Sequence, residues 1–202
     1  RVLMVEKLFE SKTYSNDFNH LKEHWRKVTP AYGMIFLYSI IFSFFWLAVP
    51  LALEEAGASY VEMGIIFGLA ALPKAFQIFF GDLADKVGRY RMLIVLSAAL
   101  TPILFAMYFL EGPYMLGAFF FVAALLTNGI PPIIHTIFDQ RAPEDVESEL
   151  VGFMETSKHI GQFVGPAMAG TVASVFSLSA SFASAGVIAL IMLVYSLKLQ
   201  RL

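Results

Sequence analysis

The amino-acid sequence predicts an all-α membrane protein in which six transmembrane helices follow a short interfacial cytoplasmic helix. Hydrophobic residues make up 58% of its 202 residues and charged residues 15%, whereas a soluble domain has about half and about a quarter of its residues in these classes. A helix needs about 20 mostly apolar residues to cross a hydrocarbon core of roughly 30 Å. Six stretches satisfy that requirement, near 31–53, 60–80, 92–110, 113–138, 150–176 and 178–197.

Residues 1–30 are predicted to form a cytoplasmic linker that contains an amphipathic helix. Ser15 or Asn16 can cap this helix, because their side chains accept hydrogen bonds from the free N–H groups of a first turn. Apolar side chains then recur at helical spacing, at Phe18, Leu21, Trp25 and Val28. A helix of this kind lies in the membrane interface, and residues 31–202 are predicted to form the six-span domain that follows it.

The distribution of Lys and Arg predicts which ends of the spans face the cytoplasm, because these residues are enriched in cytoplasmic loops. Six of the 14 fall in residues 1–30 and three in residues 86–91. The connections 54–59, 111–113 and 177–179 contain none. We therefore predict an integral, multi-pass protein of the cell (inner) membrane with both termini in the cytoplasm.

The predicted turn between spans two and three, GDLADKVGRYRML at residues 81–93, concentrates charge in an otherwise apolar chain. Its Lys and Arg residues are explained by orientation, but acidic residues contribute little to orientation and need a second reason. Asp85 and Arg89 are four residues apart and can pair on one helical face. Gly81 and Gly88 allow a tight turn and a close approach of helices.

This turn resembles the signature of the major facilitator superfamily, because it follows the pattern G-x-L-A-D-[RK]-x-G-[RK] between the second and third spans of a six-span half. The resemblance implies a latch that closes the cytoplasmic side when the aspartate meets the positive end of a helix in the opposite half. It assigns to this latch Gly81, Asp85, Lys86, Gly88, Arg89 and Arg91, with Asp139 of span four as the acidic partner of the arginine.

The resemblance also implies a secondary transporter that moves a small organic solute or drug by alternating access, coupled to protons, with this chain as one of its two halves. A chain that begins with Arg rather than Met is expected to be a fragment or a cleaved product, partnered by the other six-span half. The long segment before span one and a fourth span without Arg favour the second half. Residues 161–170, GQFVGPAMAG, favour the first half, since they partly resemble the fifth-span motif of drug/proton antiporters.

Residues 161–170 can also be interpreted as a helix-packing motif that needs no antiport. Small side chains recur every four residues, which lets helices approach closely, and a proline can bend the helix. The small-residue stripe contains Ala169 between the glycines. The motif as a whole comprises Gly161, Gly165, Pro166 and Gly170.

Polar residues within spans are costly, so each is a candidate for function. The candidates for the substrate or proton pathway are Lys74, Gln77, Asn128, His135, Glu155, Lys158, His159 and Gln162. His135, Glu155 and His159 can titrate near neutral pH when their surroundings perturb them, which suggests proton coupling.

Lys74 is deep enough that it must face a water-filled cavity or pair with an acid such as Glu155. Alternatively, Glu155 and Lys158 can neutralise each other. The cationic residues favour an organic anion as substrate, and the aromatic residues favour hydrophobic drugs.

The sequence predicts no enzyme, no metal site and no cofactor. The serines of span six lack the frame of an intramembrane serine protease, and His135 and His159 lack the spacing of metal ligands. The chain has no Cys, and no basic, aromatic-interleaved surface for nucleic acid. Tyr38, Trp46 and the many Phe are interpreted as packing or lipid-facing residues. The alternatives to a half-transporter are a homodimeric transporter and a channel-like pore.

Overall fold

The computed structural model describes residues 11–143 and 147–201, with side chains from residue 28 onward. Within these ranges every regular element is a helix, and the helices form six long units. The units are α1 (Ser11–Glu55), α2 (Tyr60–Val87), α3 (Arg89–Met107), α4 (Pro113–Asp139), α5 (Glu147–Val175) and α6 (Leu178–Gln200). The predicted all-α fold is confirmed, and each unit overlaps one predicted span.

Five units are long and apolar enough to cross a membrane, namely Val28–Glu55 of α1 together with α2, α3, α4 and α6. The unit α5 has 29 residues and is roughly 44 Å long at 1.5 Å per residue. Polar residues such as Lys158, His159 and Gln162 lower its hydropathy below that of the other five. The predicted crossing by α5 is therefore supported by its length and by its packing against α1, and the count of six crossings stays a prediction.

The units α1 and α5 lie side by side and run in the same direction. The Tyr32 hydroxyl of α1 donates to the Leu150 carbonyl of α5 at 3.0 Å, and eleven residues further along each helix the Ser43 hydroxyl lies 3.4 Å from the Gly161 carbonyl. This common direction is the one expected when three further spans separate α1 from α5. It agrees with a six-span order in which successive units alternate.

The units α1 and α6 are antiparallel. Tyr195, near the end of α6, lies against Gly33 near the start of span one. Phe182, near the start of α6, packs edge-on against Phe44, with ring centroids 5.7 Å apart. Both of these phenylalanines are fully buried, so the α1–α6 contact contributes to the centre of the apolar core.

Glycines of α5 allow its close contact with α1. A Cβ on Gly161 would lie 2.6 Å from the Phe36 carbonyl oxygen, and a Cβ on Gly165 would overlap the Ser43 hydroxyl and the Ile40 carbonyl oxygen. Both glycines are buried. Backbone approach of this kind lets packing forces hold two helices together in a bilayer.

The other residues of the predicted packing stripe and motif, Ala169, Pro166 and Gly170, differ in how closely they pack. Ala169 is 1% exposed, and its carbonyl accepts a hydrogen bond from the Ser181 hydroxyl of α6 at 3.0 Å. Pro166 lies inside α5. A Cβ on Gly170 would lie 3.7 Å from Leu47, which is an ordinary contact. The tightly packed stripe is therefore Gly161, Gly165 and Ala169.

The structure differs from the sequence-based expectation at the start of span one. A separate interfacial helix was expected before Pro30, yet α1 continues through this proline without a break. Proline removes one helical hydrogen bond, but Val28 and Ala31 are buried on either side of it, so packing holds this turn helical. Residues 1–10 of the predicted linker lie outside the described residues, as do the side chains of Phe18, Leu21 and Trp25.

The unit α2 is interrupted in its middle. A 3-10 helix, Leu72–Phe76, joins the α-helices Tyr60–Ala71 and Gln77–Val87. Pro73 stands at the first turn of this segment, where it removes a donor and crowds the preceding turn. The interruption changes the direction in which the following side chains project.

The unit α4 is interrupted as well. Its α-helices are Pro113–Asn128 and Ile130–Asp139, and they meet at Gly129. The second of them has prolines at its start, Pro131 and Pro132. These prolines lack the N–H groups that would continue the helical bonding of the first segment.

Candidate functional site

A groove of about 240 Å³ opens between α1, α2 and α4. Its lining contains five aromatic rings, those of Phe42, Phe45, Trp46, Phe67 and Phe120. Three polar side chains also line it, those of Lys74, Thr127 and Asn128, and the remaining lining residues are alanines. We call this feature the aromatic groove.

The rings of the aromatic groove form one connected array. Trp46 and Phe67 are nearly parallel, with an interplanar angle of 25° and centroids 6.0 Å apart. Phe67 and Phe45 each meet Phe120 edge-on, at 5.3 Å and 5.4 Å. Aromatic pairs at such distances stabilise a site by about 0.5–1.5 kcal/mol each beyond the area they bury. Trp46 is 64% exposed, so its ring is accessible from the open side of the groove.

Sequence reasoning interpreted Tyr38 and Trp46 as packing or lipid-facing residues. Tyr38 is 8% exposed and stacks on Phe42 with ring centroids 5.7 Å apart, which agrees with a packing role. Trp46, in contrast, borders the groove. The spacing of Phe42, Phe45 and Trp46 at i, i+3 and i+4 does place them on one helical face, but an ordinary packing stripe has the same spacing.

The helices α2 and α4 run in the same direction on two sides of the groove. Near one end Ile66 of α2 lies against Gly117 of α4. Further along, Gln77 Nε2 donates to Asn128 Oδ1 at 3.4 Å. The amide pair lies where both helices are interrupted, because Gln77 directly follows the 3-10 segment of α2 and Asn128 ends the first helix of α4.

Three predicted pathway residues therefore meet at one level of the bundle. Lys74 lies in the 3-10 segment of α2 and is exposed to the groove. Gln77 is one turn further along and bonds to Asn128, which is 9% exposed. A 3-10 stretch inside a longer helix often marks a functional hinge, and interrupted transmembrane helices commonly line the binding sites of transporters.

Lys74 supplies the charge of the groove. It is the charged residue among those that line the cavity. The alternative pairing with Glu155 is not formed among the described side chains, where Glu155 instead bonds Lys158 at 2.7 Å. Across the part of the chain that the structure describes, no ion pair within 4.0 Å involves Lys74.

The predicted pathway residues of α5 form a second group. Lys158 Nζ lies 2.7 Å from Glu155 Oε2, and His159 Nε2 lies 3.9 Å from the same oxygen. His159 Nδ1 lies 3.0 Å from Gln162 Oε1. These contacts join neighbours on one helical face, as their spacing predicts. His135, the remaining candidate, is half-buried on α4.

We expect Glu155→Gln and Lys158→Gln each to lower the thermal stability of the purified protein. Each substitution leaves the other charge without its 2.7 Å partner at a half-buried position. The double variant should regain most of the loss, with a coupling of about 0.5–3 kcal/mol, since no unpaired charge then remains. Thermal unfolding of the parent, the two single variants and the double variant measures this coupling.

The control for the ion pair is Glu147→Gln, which neutralises an exposed carboxylate at the start of α5. It should change stability little, because a surface substitution usually costs less than about 0.5 kcal/mol. Strictly additive losses for Glu155→Gln and Lys158→Gln would contradict a coupled pair.

The α2–α3 turn brings the charges of the motif together. Gly88 joins the two helices with a φ of 104°, a conformation that favours glycine. Arg89 donates from Nε and Nη2 to Asp85 Oδ1 at 3.0 Å and 2.8 Å. The Asp85 side chain is 58% exposed and that of Arg89 is 20% exposed. The aspartate thus stays accessible while it is paired.

The other motif residues lie around this pair. Lys86 and Arg91 are exposed, and no atom lies within 4 Å of the position of a Cβ on Gly81. Asp139 is exposed at the end of α4, which is the same end of the bundle because α2 and α4 are parallel. Among the described side chains no ion pair within 4.0 Å joins Asp139 to Arg89, so their pairing stays a prediction.

Known transport proteins are similar in sequence to part of this chain. A multidrug resistance protein, MdtG of Yersinia enterocolitica, is 27% identical over 129 residues, which is 64% of this chain and 31% of that protein. An uncharacterized MFS-type transporter, YuxJ of Bacillus subtilis, is 28% identical over 102 residues, which is 50% of this chain and 26% of that protein. A multi-drug resistance efflux pump, the PmrA homolog of Lactococcus lactis, is 21% identical over 118 residues, which is 58% of this chain and 29% of that protein.

This chain matches about three tenths of the length of these curated relatives. The family model described as Major Facilitator Superfamily matches residues 31–201, which is most of the chain and includes all of the helices from span one onward. The match contains the α2–α3 turn and every residue of the aromatic groove. This chain is an integral, multi-pass membrane protein, and it belongs to the major facilitator superfamily.

Proposed function

We propose that this chain is one half of a secondary transporter that moves small organic solutes or drugs across the cell (inner) membrane by alternating access. The observation that carries the proposal is the aromatic groove, where Lys74 and the Gln77–Asn128 pair lie at the interruptions of α2 and α4. Polar groups inside membrane-spanning helices are costly, and those that occur there commonly mark a substrate or ion pathway. The groove is open on one side, so a second six-span half would supply its opposite wall.

The relatives support a drug-like solute and a second half. Two of them are named for multidrug resistance or efflux, and all three are about three to four times as long as the region they share with this chain. In this proposal the α2–α3 turn and both termini face the cytoplasm, and lipid covers the outer surface. The protein acts as a transporter and not as an enzyme.

Protons are the coupling ion in this proposal. The α5 group places an imidazole, His159, 3.9 Å from the Glu155 carboxylate, which also bonds Lys158. Neighbouring Glu and His side chains on transmembrane helices commonly form proton relays in transporters. His135 on α4 is a further imidazole assigned to this pathway.

Transport by the full-length protein tests the proposal. We expect proteoliposomes with an imposed proton gradient to move aromatic drug-like solutes, and Trp46→Ala to lower the initial rate about tenfold by removing the exposed ring of the groove. The matched control is Phe109→Ala, which removes a ring that is 78% exposed outside the groove.

Two results would contradict parts of the proposal. Absence of gradient-driven flux for every solute tested would remove the transport function, and equal losses in Trp46→Ala and Phe109→Ala would remove the role of the groove. Transport by residues 1–202 alone would favour a homodimeric transporter, because one half supplies one wall of the path.

A further inference from the structure

We propose that the aromatic groove selects flat aromatic monoanions, with Lys74 as their counter-ion. This inference rests on the proposed function, because it names the class of substrate that the transport path prefers. The aromatic rings alone would accept any lipophilic aromatic molecule. The charge of the groove makes it bind an aromatic carboxylate more tightly than an aromatic amine of the same shape.

The shape of the ring array determines where a flat molecule can lie. The centroids of Trp46 and Phe67 are 6.0 Å apart, whereas a ring inserted between them needs about 7 Å, twice the contact distance of two carbon atoms. A ligand ring therefore packs on the accessible side of Trp46 and does not enter between the pair. The edges of Phe42 and Phe120 bound the same space.

The charge of the groove favours an anion. Among the residues that line the cavity, Lys74 is cationic and none is acidic. Glu155, an acid that could neutralise Lys74, is bonded to Lys158 at 2.7 Å. A carboxylate therefore gains an attraction that is strong in surroundings of low dielectric constant, and a ligand ammonium meets a repulsion of the same origin.

The other polar side chains of the lining are already bonded within the protein. The Thr127 hydroxyl donates to the Ala123 carbonyl at 2.6 Å. Asn128 Nδ2 donates to the Ala124 carbonyl at 2.8 Å, and its Oδ1 accepts from Gln77. Lys74 is the charged donor of the lining, beside the neutral N–H groups of Trp46 and Asn128. A charge-assisted hydrogen bond is stronger than one between neutral groups, so a ligand carboxylate is expected to bind at Lys74.

Three probes of matched shape test the inference: 2-naphthoate, 2-naphthamide and 2-naphthylmethylammonium. The purified 202-residue chain has two tryptophans, so Trp25→Phe leaves Trp46 as the fluorophore whose quenching reports binding in the groove. We expect 2-naphthoate to bind about tenfold more tightly than the amide and the ammonium to bind more weakly than both. Equal dissociation constants for the three probes would overturn the inference.

Variants assign the preference to Lys74. Lys74→Gln should bring the naphthoate and naphthamide constants within about twofold of each other, and Lys74→Arg should keep most of the preference because it keeps the charge. The control Lys158→Gln removes a cation outside the groove and should leave the preference unchanged. A preference that survives in Lys74→Gln would overturn the inference, and the probe ratios of the parent test it even where a variant fails to fold.

The outcome is distinct from that of the transport experiment. A carboxylate preference without flux by the full-length protein would contradict the proposed function alone. Flux of aromatic drugs without any carboxylate preference in binding would contradict this inference alone.

Discussion

Gly165→Leu is expected to separate α5 from α1 and to leave little folded protein. A Cβ at this position would overlap the Ser43 hydroxyl and the Ile40 carbonyl oxygen, and it would lie 3.0 Å from the Phe44 nitrogen. Two of these three atoms belong to the backbone of α1, so no side-chain rotation can relieve the overlap. Overpacking usually costs about 1–3 kcal/mol, and we expect a loss at or above the upper end of that range.

Thermal unfolding and size-exclusion profiles of the purified variants measure this effect, and the same helix supplies its controls. Gly152→Ala introduces a Cβ with no atom within 4 Å, and Gly170→Ala introduces one that lies 3.7 Å from Leu47. Both should leave stability unchanged or raise it by up to about 1 kcal/mol, because alanine favours helix over glycine. An unfolding temperature for Gly165→Leu equal to that of Gly152→Ala would show that α5 does not contact α1 in this way.

Five of the six units could be predicted because apolar length is itself the condition for a helix to exist in a bilayer. The sixth, α5, has the length but carries more polar residues. Whether an individual proline interrupts its helix could not be predicted. Pro30 leaves α1 continuous, whereas Pro73 coincides with a 3-10 interruption of α2. The difference lies in the neighbours, since Val28 and Ala31 are buried beside Pro30 while the residues beside Pro73 are exposed. Burial of neighbours depends on the other helices, which a pattern along one helix does not contain.

The sequence predicted part of the candidate site, and the rest depends on contacts between helices. Polar residues inside spans stand out by their cost, and this signal identified Lys74, Gln77 and Asn128, which the structure brings to one level. The signal did not reveal the ring of Trp46 in the groove, because aromatic residues are common in every span. The choice between Lys74 and Lys158 as partner of Glu155 also needed geometry, since both pairings satisfy the charges.

In the proposed transporter, Asp85→Asn is expected to weaken closure of the side that carries the α2–α3 turn and to open the groove to reagents from that side. Asp85 is bonded to Arg89 and is still 58% exposed, so it can also meet the positive end of a helix in the proposed second half. Such a contact is worth about 0.3–1 kcal/mol, and up to about 2 kcal/mol when partly buried. Its loss should shift the ratio of open to closed states about two- to fivefold, and up to about thirtyfold when the contact is partly buried.

Labelling of a single introduced cysteine measures this shift, because the chain contains no cysteine of its own. Ala71→Cys places the thiol in the lining of the groove, and a membrane-impermeant maleimide is added on the side of the α2–α3 turn. Labelling should be several-fold faster with Asp85→Asn. The control Asp82→Asn makes the same chemical change at an exposed residue three positions earlier and should label at the parent rate. Equal labelling rates for Asp85→Asn and Asp82→Asn would contradict the latch, because both variants lose one negative charge and only Asp85 is bonded to Arg89 in the described residues.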